Sequence, residues 1–350
     1  MTALTTLLGI RHPVLQAPMA GVQGSALAIA VCQAGGLGAL PCAMLDATTL
    51  RRELEALRSA AGPCNVNFFC HRPPLADVHR EAAWRARLAP WLAEYGLEPQ
   101  PAAAGASRQP FSAEAAELLA EFRPAVVSFH FGLPEAALLD RVRAWGARIL
   151  ASATTVDEAR WLEARGVDAV IAQGLEAGGH RGMFLGDDLA SQVGLFALLP
   201  QVVRAVRVPV IAAGGIADAA GVAAARALGA AGVQVGTAYL LCPEATTGAL
   251  HRQALASPGS AVTALTNVFT GRPARGIVNR AIRELGPICA DAPAFPLAAS
   301  AMAPLRAAAE ARGCSDFSAL WAGQNTSGCR DRPAAELTAE LAAAWWAVGA

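Results

Sequence analysis

Residues Ala164–Gly182 read ARGVDAVIAQGLEAGGHRG. The stretch opens on the end of a helix, where Gly166 supplies a left-handed stop. An almost wholly apolar run, Ala169–Gln173, comes next. Such a run reads as a strand buried on both faces, because it lacks the polar alternation of a half-solvated sheet. A glycine-rich loop carrying His180 follows it. Ala227–Gly236, ALGAAGVQVG, repeats the same helix–glycine–strand grammar.

Working outward from these two units, eight short apolar runs appear: Val14–Ala17, Gly38–Leu40, Cys64–Asn67, Ala125–Ser128, Ile149–Ser152, Ala169–Gln173, Val208–Ala212 and Gly232–Val235. Helical stretches follow most of them: Ser25–Ala34, Ala47–Ala60, Pro134–Trp145, Thr155–Arg165, Ala217–Leu228 and Glu244–Leu255. Asp46 and Thr154 read as N-caps, and Gly229 as a second helix stop. Eight parallel strands with intervening helices is the count for a closed (β/α)8 TIM barrel, an α/β fold; a doubly wound open sheet, the alternative, would usually show fewer units.

Two stretches break the rhythm. Between the third and fourth runs lie a helical segment, His71–Tyr95, with Trp84, Leu88, Trp91 and Leu92 on one face, and a Pro/Ala/Gly-rich piece, Glu98–Pro110. The helix Ser112–Phe122 completes that unit. Pro243–Leu320 is rich in Pro, Arg and Ala and is expected to form a smaller, mainly helical extra lobe. The expected division is a barrel of residues 1–242 and 320–350, with a lobe of 243–319 over the barrel top. Glu336–Val348 is expected as a helix, with Trp345 and Trp346 packed on the same chain.

The composition agrees with a large buried core: 54% of the 350 residues are hydrophobic and 16% charged. Lys+Arg and Asp+Glu are equal at 28, so no long-range field draws nucleic acid or anionic lipid, and any anion must be met by a local site. There is no apolar run of the ~20 residues that a membrane span needs. The opening MTALTTLLGIRHPV has no basic leader, so a cytoplasmic location is expected. The scattered cysteines, without a CxxC pair, read as reduced thiols, and no metal cluster is expected.

Barrel enzymes carry their chemistry at the C-terminal ends of the strands. Polar and small residues gather there: Ala17, Pro18 and Met19 after the first run, Asn67 at the third, His130 after the fourth, Gln173 through Gly182 after the sixth. Ala213, Gly214 and Gly215 end the seventh, and Gln234, Gly236 and Thr237 mark the eighth. Without Cβ, glycine backbone can close on a phosphate. The last two strand ends are the usual phosphate site of this fold. Gly178 and Gly179 allow the same close approach to a flat ring or its phosphate. The amides of Asn67, Gln173 and Gln234 both donate and accept, which suits the edge of an isoalloxazine ring; the alternative is hydrogen bonding to loop backbone.

His180, expected partly exposed beyond a strand end, is the first catalytic candidate. An imidazole titrating near ~6.5 can exchange a proton, or as imidazolium steady an anionic substrate. His130, between Phe129 and Phe131, is the second, with a packed, hydrogen-bonded histidine as the alternative. His12, His71, His79 and His251 are given surface or structural roles. Arg272 and Arg275 either meet a substrate anion or sit at a solvated surface, the latter being the ordinary case.

QAPMAGV (Gln16–Val22), NVNFF (Asn65–Phe69), VSFHFGLP (Val127–Pro134), IAQGLEAGGHRG (Ile171–Gly182), PVIAAGGIAD (Pro209–Asp218) and VQVGTAYLLCPEA (Val233–Ala245) together resemble the nitronate monooxygenase (2-nitropropane dioxygenase) family. NVFTGRPARGIVN (Asn267–Asn279) and LWAGQN (Leu320–Asn325) carry the likeness almost to the C-terminus. The resemblance implies a TIM barrel with an extra lobe, non-covalent FMN, and oxidation of alkyl nitronates, including propionate 3-nitronate, by O2. It implies His180 as the catalytic residue and His130 as a pocket residue. Met19, Asn67, Gln173, Gly178, Gly179, Gly214, Gly215, Gln234, Gly236 and Thr237 would then be flavin contacts. The expected partners are a small nitronate and O2, with no nucleic acid or membrane, for a monomer or homodimer. One departure concerns the substrate. Relatives of the propionate-nitronate type carry tyrosines and a lysine toward the C-terminal lobe, where this chain offers Phe295, Leu297 and Arg306. Rival readings are an NAD(P)H-dependent flavin reductase of quinones or enoyl thioesters, a flavin-free phosphate-barrel lyase or isomerase, and a non-catalytic flavin binder.

Overall fold

The computed structural model describes residues 2–98 and 108–347, so most of the Pro/Ala/Gly-rich piece lies outside the described residues. The barrel strands are β1 (Val14–Gln16), β2 (Ala39–Pro41), β3 (Asn65–Phe69), β4 (Val126–His130), β5 (Arg148–Ala153) and β6 (Ala169–Gln173). A two-residue strand, β7 (Gly179–His180), interrupts the series before β8 (Val210–Ala213) and β9 (Gly232–Val235). The eight barrel strands run β1-β9-β8-β6-β5-β4-β3-β2. Every pairing among them is parallel. Leu37 closes the ring: its N–H donates to the Val14 carbonyl and its carbonyl accepts from the Gln16 N–H, both at 2.9 Å. The fold is the (β/α)8 TIM barrel that the eight runs implied.

The third and fourth strands extend past the polar residues that would have ended them. Phe69 stands in register with His130. Asn67 and Ser128 are therefore inside strands and buried, with Ser128 Oγ accepting from Asn67 Nδ2 at 2.9 Å and from Asn65 Nδ2 at 2.8 Å. A barrel interior tolerates such groups because they are hydrogen-bonded to one another.

Helix starts follow capping chemistry. Asp46 accepts from the Thr49 N–H at 2.7 Å, as expected. The cap before the helix Val156–Glu163 is Thr155, not Thr154. Thr154 is fully buried and donates its hydroxyl and its N–H to the Glu158 carboxylate, each at 2.7 Å. Gly166 and Gly229 hold φ of 74° and 94°, the left-handed stops the sequence called for.

The two irregular stretches meet. Within Pro243–Leu320 an antiparallel pair, β10 (Thr263–Thr266) and β11 (Ala274–Ile277), extends to β7. The helix Val78–Glu94 buries Trp84, Leu88 and Leu92 in one cluster with Ile282, Met302, Leu305 and Phe317. β11 is thus the bridge that sets the irregular region against the loop after β6. No helix among the described residues is long and apolar enough to cross a membrane.

The tail helix, Ala334–Ala347, packs back onto the barrel of the same chain, burying Leu337, Leu341 and Trp345 in the main core. Tyr239 and Thr338 hydroxyls meet there at 2.8 Å. Leu341→Ala should destabilise the protein by about 2–5 kcal/mol through the cavity it leaves. Trp346, 38% exposed, should tolerate alanine at a cost of about 0.5 kcal/mol or less. Thermal unfolding of the two variants side by side checks the difference; equal shifts would contradict the docked helix.

Candidate active site

The C-terminal ends of the barrel strands surround one cavity. Every residue expected at the site lines it: Ala17, Pro18, Met19, Asn67, His130, Gln173, Gly178, Gly179, His180, Ala213, Gly214, Gly215, Gln234, Gly236 and Thr237. Gln23 holds the first of these segments in place, its Oε1 accepting from the Met19 N–H at 3.0 Å and from Gln16 Nε2 at 2.6 Å.

On one side glycines leave the backbone bare. Gly179, Gly214 and Gly215 all sit at positive φ, from 69° to 120°. A Cβ on Gly178 would lie 2.6 Å from the Ala322 carbonyl carbon and the Gly323 nitrogen. Larger residues are shut out by conformation at the first three positions and by contact at the fourth. Thr237 Oγ1 accepts from the Gly323 N–H at 2.9 Å, and Asn325 Nδ2 donates to the Gly215 carbonyl at 3.1 Å, so LWAGQN completes the wall. Gln234 lines the same cavity with its side-chain oxygen buried and without a hydrogen-bond partner. An orphaned acceptor costs about 1–3 kcal/mol unless something donates to it. It is the bare backbone of Gly178, Gly179, Gly214 and Gly215 that fits a phosphate-bearing flavin.

The opposite side holds the histidines. His130 Nε2 lies 3.2 Å from the His180 carbonyl oxygen, and a carbonyl can only accept, so His130 is the Nε2–H tautomer. Gln173 Nε2 donates to that same oxygen at 3.0 Å, while its Oε1 accepts from the Gly182 N–H at 2.8 Å. Gln173 therefore lines the pocket while clamping its loop, and His130 supports the same loop. The His180 ring lies among Phe295, Trp321, Phe131 and Phe69, with centroids 5.1, 5.6, 6.0 and 6.2 Å away. Its Nε2 lies 2.9 Å from Thr270 Oγ1.

Burial lowers the pKa of His180 well below the ordinary value, and Arg108, His130, Arg272 and His71 add to the shift. His130 is pushed down to about 3, chiefly by burial. Both rings are neutral at neutral pH. Of the two roles the sequence left open to His180, proton exchange and a standing imidazolium, the apolar pocket and its positive charges favour the free base.

Several functional neighbours escaped the sequence. Arg108, beside the Pro/Ala/Gly-rich piece, lines the cavity. Among the described residues it has no carboxylate within salt-bridge distance. No motif announced it, because it follows a segment without periodicity. His71 and His251 are buried rather than on the surface, and burial lowers each to about 4. His251 lines the cavity. Arg272 and Arg275 are not surface residues either. Arg275 is 5% exposed and donates to the Leu175 carbonyl at 3.0 Å. The Arg272 guanidinium lies 4.0 Å over the Phe131 ring and donates to the Met183 carbonyl. Both are drawn inward by loop carbonyls that need donors. Among the described residues no group of His, Cys, Asp and Glu could hold a metal ion.

The family model for nitronate monooxygenase matches residues 1–344. A nitronate monooxygenase of Pseudomonas aeruginosa is 46% identical over 96% of this chain and 97% of its own length. One from Paraburkholderia phytofirmans is 45% identical over 97% of this chain and 93% of its own. The crystal structure of a nitroalkane oxidase from Streptomyces ansochromogenes superposes with a TM-score of 0.89 at 42% identity, covering 99% of this chain and 98% of that one. The full-length family match and these identities place the chain in the nitronate monooxygenase family.

Proposed function

We propose that this protein is an FMN-dependent oxidoreductase that oxidises alkyl nitronates, propionate 3-nitronate among them, with O2 to carbonyl compounds and nitrite or nitrate. The observation that carries the reading is a neutral His180 facing a glycine-walled cavity. We place the enzyme in the cytoplasm.

Gly178, Gly179, Gly214, Gly215, Gly236 and Thr237 would receive the cofactor phosphate, and Gln234 and Asn67 its polar edge. Bound FMN would supply the electron acceptor for the nitronate and pass its electrons on to O2. The protein's own part is electrostatic and geometric. Arg108 and Arg272 give the substrate side positive potential, which draws an anion into an apolar box and holds it. The aromatic rings around His180 exclude water and strengthen those charges. Neutral nitroalkanes need one more step, removal of the α-proton, and an unprotonated imidazole is the group for it.

Oxygen consumption with a nitronate and no nicotinamide should proceed at full rate. Bleaching of the flavin by NADPH instead would favour a reductase of quinones or enoyl thioesters. His180→Ala should keep its flavin absorbance but lose about 10²–10⁴ in turnover of a neutral nitroalkane. Because burial lowers its pKa, His180 is in its base form at pH values above that lowered pKa. The acid limb of kcat/KM for the nitroalkane should therefore fall below the ordinary imidazole value of ~6.5. A limb at or above that value contradicts the neutral base. Arg108→Gln should raise KM for propionate 3-nitronate about tenfold, equivalent to about 1.4 kcal/mol, with a smaller change for an uncharged nitroalkane. Equal effects on both substrates would remove Arg108 from anion recognition.

A further inference from the structure

The turn Thr270-Gly271-Arg272-Pro273 is built to one shape. Gly271 holds φ of 88°, its N–H donates to the Asn267 carbonyl at 2.7 Å, and a Cβ there would lie 2.0 Å from the Pro293 carbonyl oxygen. The strand that follows, β11, pairs Ala274 with His180 and Arg275 with Gly179. The Arg181 N–H donates to the Pro273 carbonyl at 2.9 Å. Thr270 and His180 are thus held against each other by backbone on both sides. The contact between their side chains follows from that docking.

The hydroxyl of Thr270 has one proton to give. Its oxygen reaches two atoms, His180 Nε2 at 2.9 Å and the Arg272 carbonyl oxygen at 3.4 Å. The carbonyl can only accept. When the hydroxyl proton goes there, the short contact requires the imidazole to donate. The other ring nitrogen, Nδ1, has no partner among the described residues, and it is not one of the buried unsatisfied atoms, so it is open to the cavity that His180 lines.

We propose that Thr270 is a positioning residue that fixes His180 as the Nε2–H tautomer, leaving the Nδ1 lone pair to take the α-proton of a neutral nitroalkane. In that step the substrate C–H bond breaks and its proton passes to Nδ1. The electron pair stays on the substrate as the nitronate. The resulting imidazolium keeps its Nε2–H bonded to Thr270, which steadies the new charge. His130, whose Nε2–H is given to a carbonyl, is excluded from competing through that nitrogen. The catalytic half of the proposal rests on the oxidase reading; the tautomer does not.

The test is nitrogen NMR of the purified protein labelled with 15N at histidine, with His180→Gln identifying the His180 signals. Wild type and Thr270→Ser should show His180 protonated at Nε2, and Thr270→Val should shift it toward a mixture of tautomers. An Nδ1–H wild type, or an unchanged tautomer in Thr270→Val, overturns the proposal. The wild-type spectrum decides even if the valine variant does not fold. In kinetics, Thr270→Val should lose about tenfold more kcat/KM on nitroethane than on its preformed nitronate, within the range of general-base effects. Thr270→Ser should restore most of the loss. Equal losses on both substrates would mark Thr270 as merely structural and overturn the proposal. A wild-type enzyme without nitronate turnover would defeat the oxidase reading while leaving the tautomer result standing.

Discussion

The site depends on a guanidinium buried beneath it. Where the chain leaves β6, the carbonyls of Gln173 and Gly174 turn away from strand partners. Arg181, with no exposed surface, donates to both, at 2.8 and 2.6 Å, and to Gln192 Oε1 at 3.1 and 3.0 Å. Gln192 in turn donates to Thr154 Oγ1 at 3.0 Å, Thr154 to Glu158, and Glu158 accepts from the Leu185 N–H at 3.2 Å. A buried cation is tolerated when it is fully hydrogen-bonded and has opposite charge nearby. Burial lowers the pKa of Arg181 to about 10, while Glu176 and Glu158 pull the other way, so it stays charged. The loop from 174 to 192 is therefore riveted, and the imidazole one residue before Arg181 has a fixed address.

The charges around that rivet are unevenly spread. Below the loop the carboxylates of Glu158 and Glu176 take up backbone N–H groups and balance Arg181. Above it, the groups that shift His180 are all basic: Arg108, His130, Arg272 and His71. The effect on a free imidazole is to keep it unprotonated. The effect on an arriving anion is attraction, strengthened by aromatic walls that keep water out. Under the proposed function, one arrangement would serve both substrate capture and base chemistry.

The barrel half of this design was legible in the sequence. Gly166 and Gly229 punctuate the units, the apolar runs mark strands buried on both faces, and glycine at Gly214 and Gly215 has a conformational reason visible as positive φ. The errors were local. Asn67 and Ser128 looked like strand ends because polarity in a strand usually means solvent; here the Asn67 amide donates to Ser128 on the neighbouring strand. Arg272 and Arg275 looked like surface residues because an isolated arginine usually is one. Only tertiary structure reveals the loop carbonyls that bring them inside.

Legibility divides along the same line as function. Backbone recognition leaves a trace in sequence, since glycine is demanded wherever a ligand and the main chain come close. The expected cofactor wall is of this kind. The side of the cavity that holds His180 draws on single side chains from distant, irregular segments: Arg108 and Trp321 line it, while Thr270 and Phe295 contact the His180 ring. None belongs to a repeating unit: Thr270 is held against His180 by the pairing of β11 with β7, whereas Arg108 enters beside β3, next to the Phe69–Pro110 bridge. A wall built in that way can change residue by residue without disturbing the barrel.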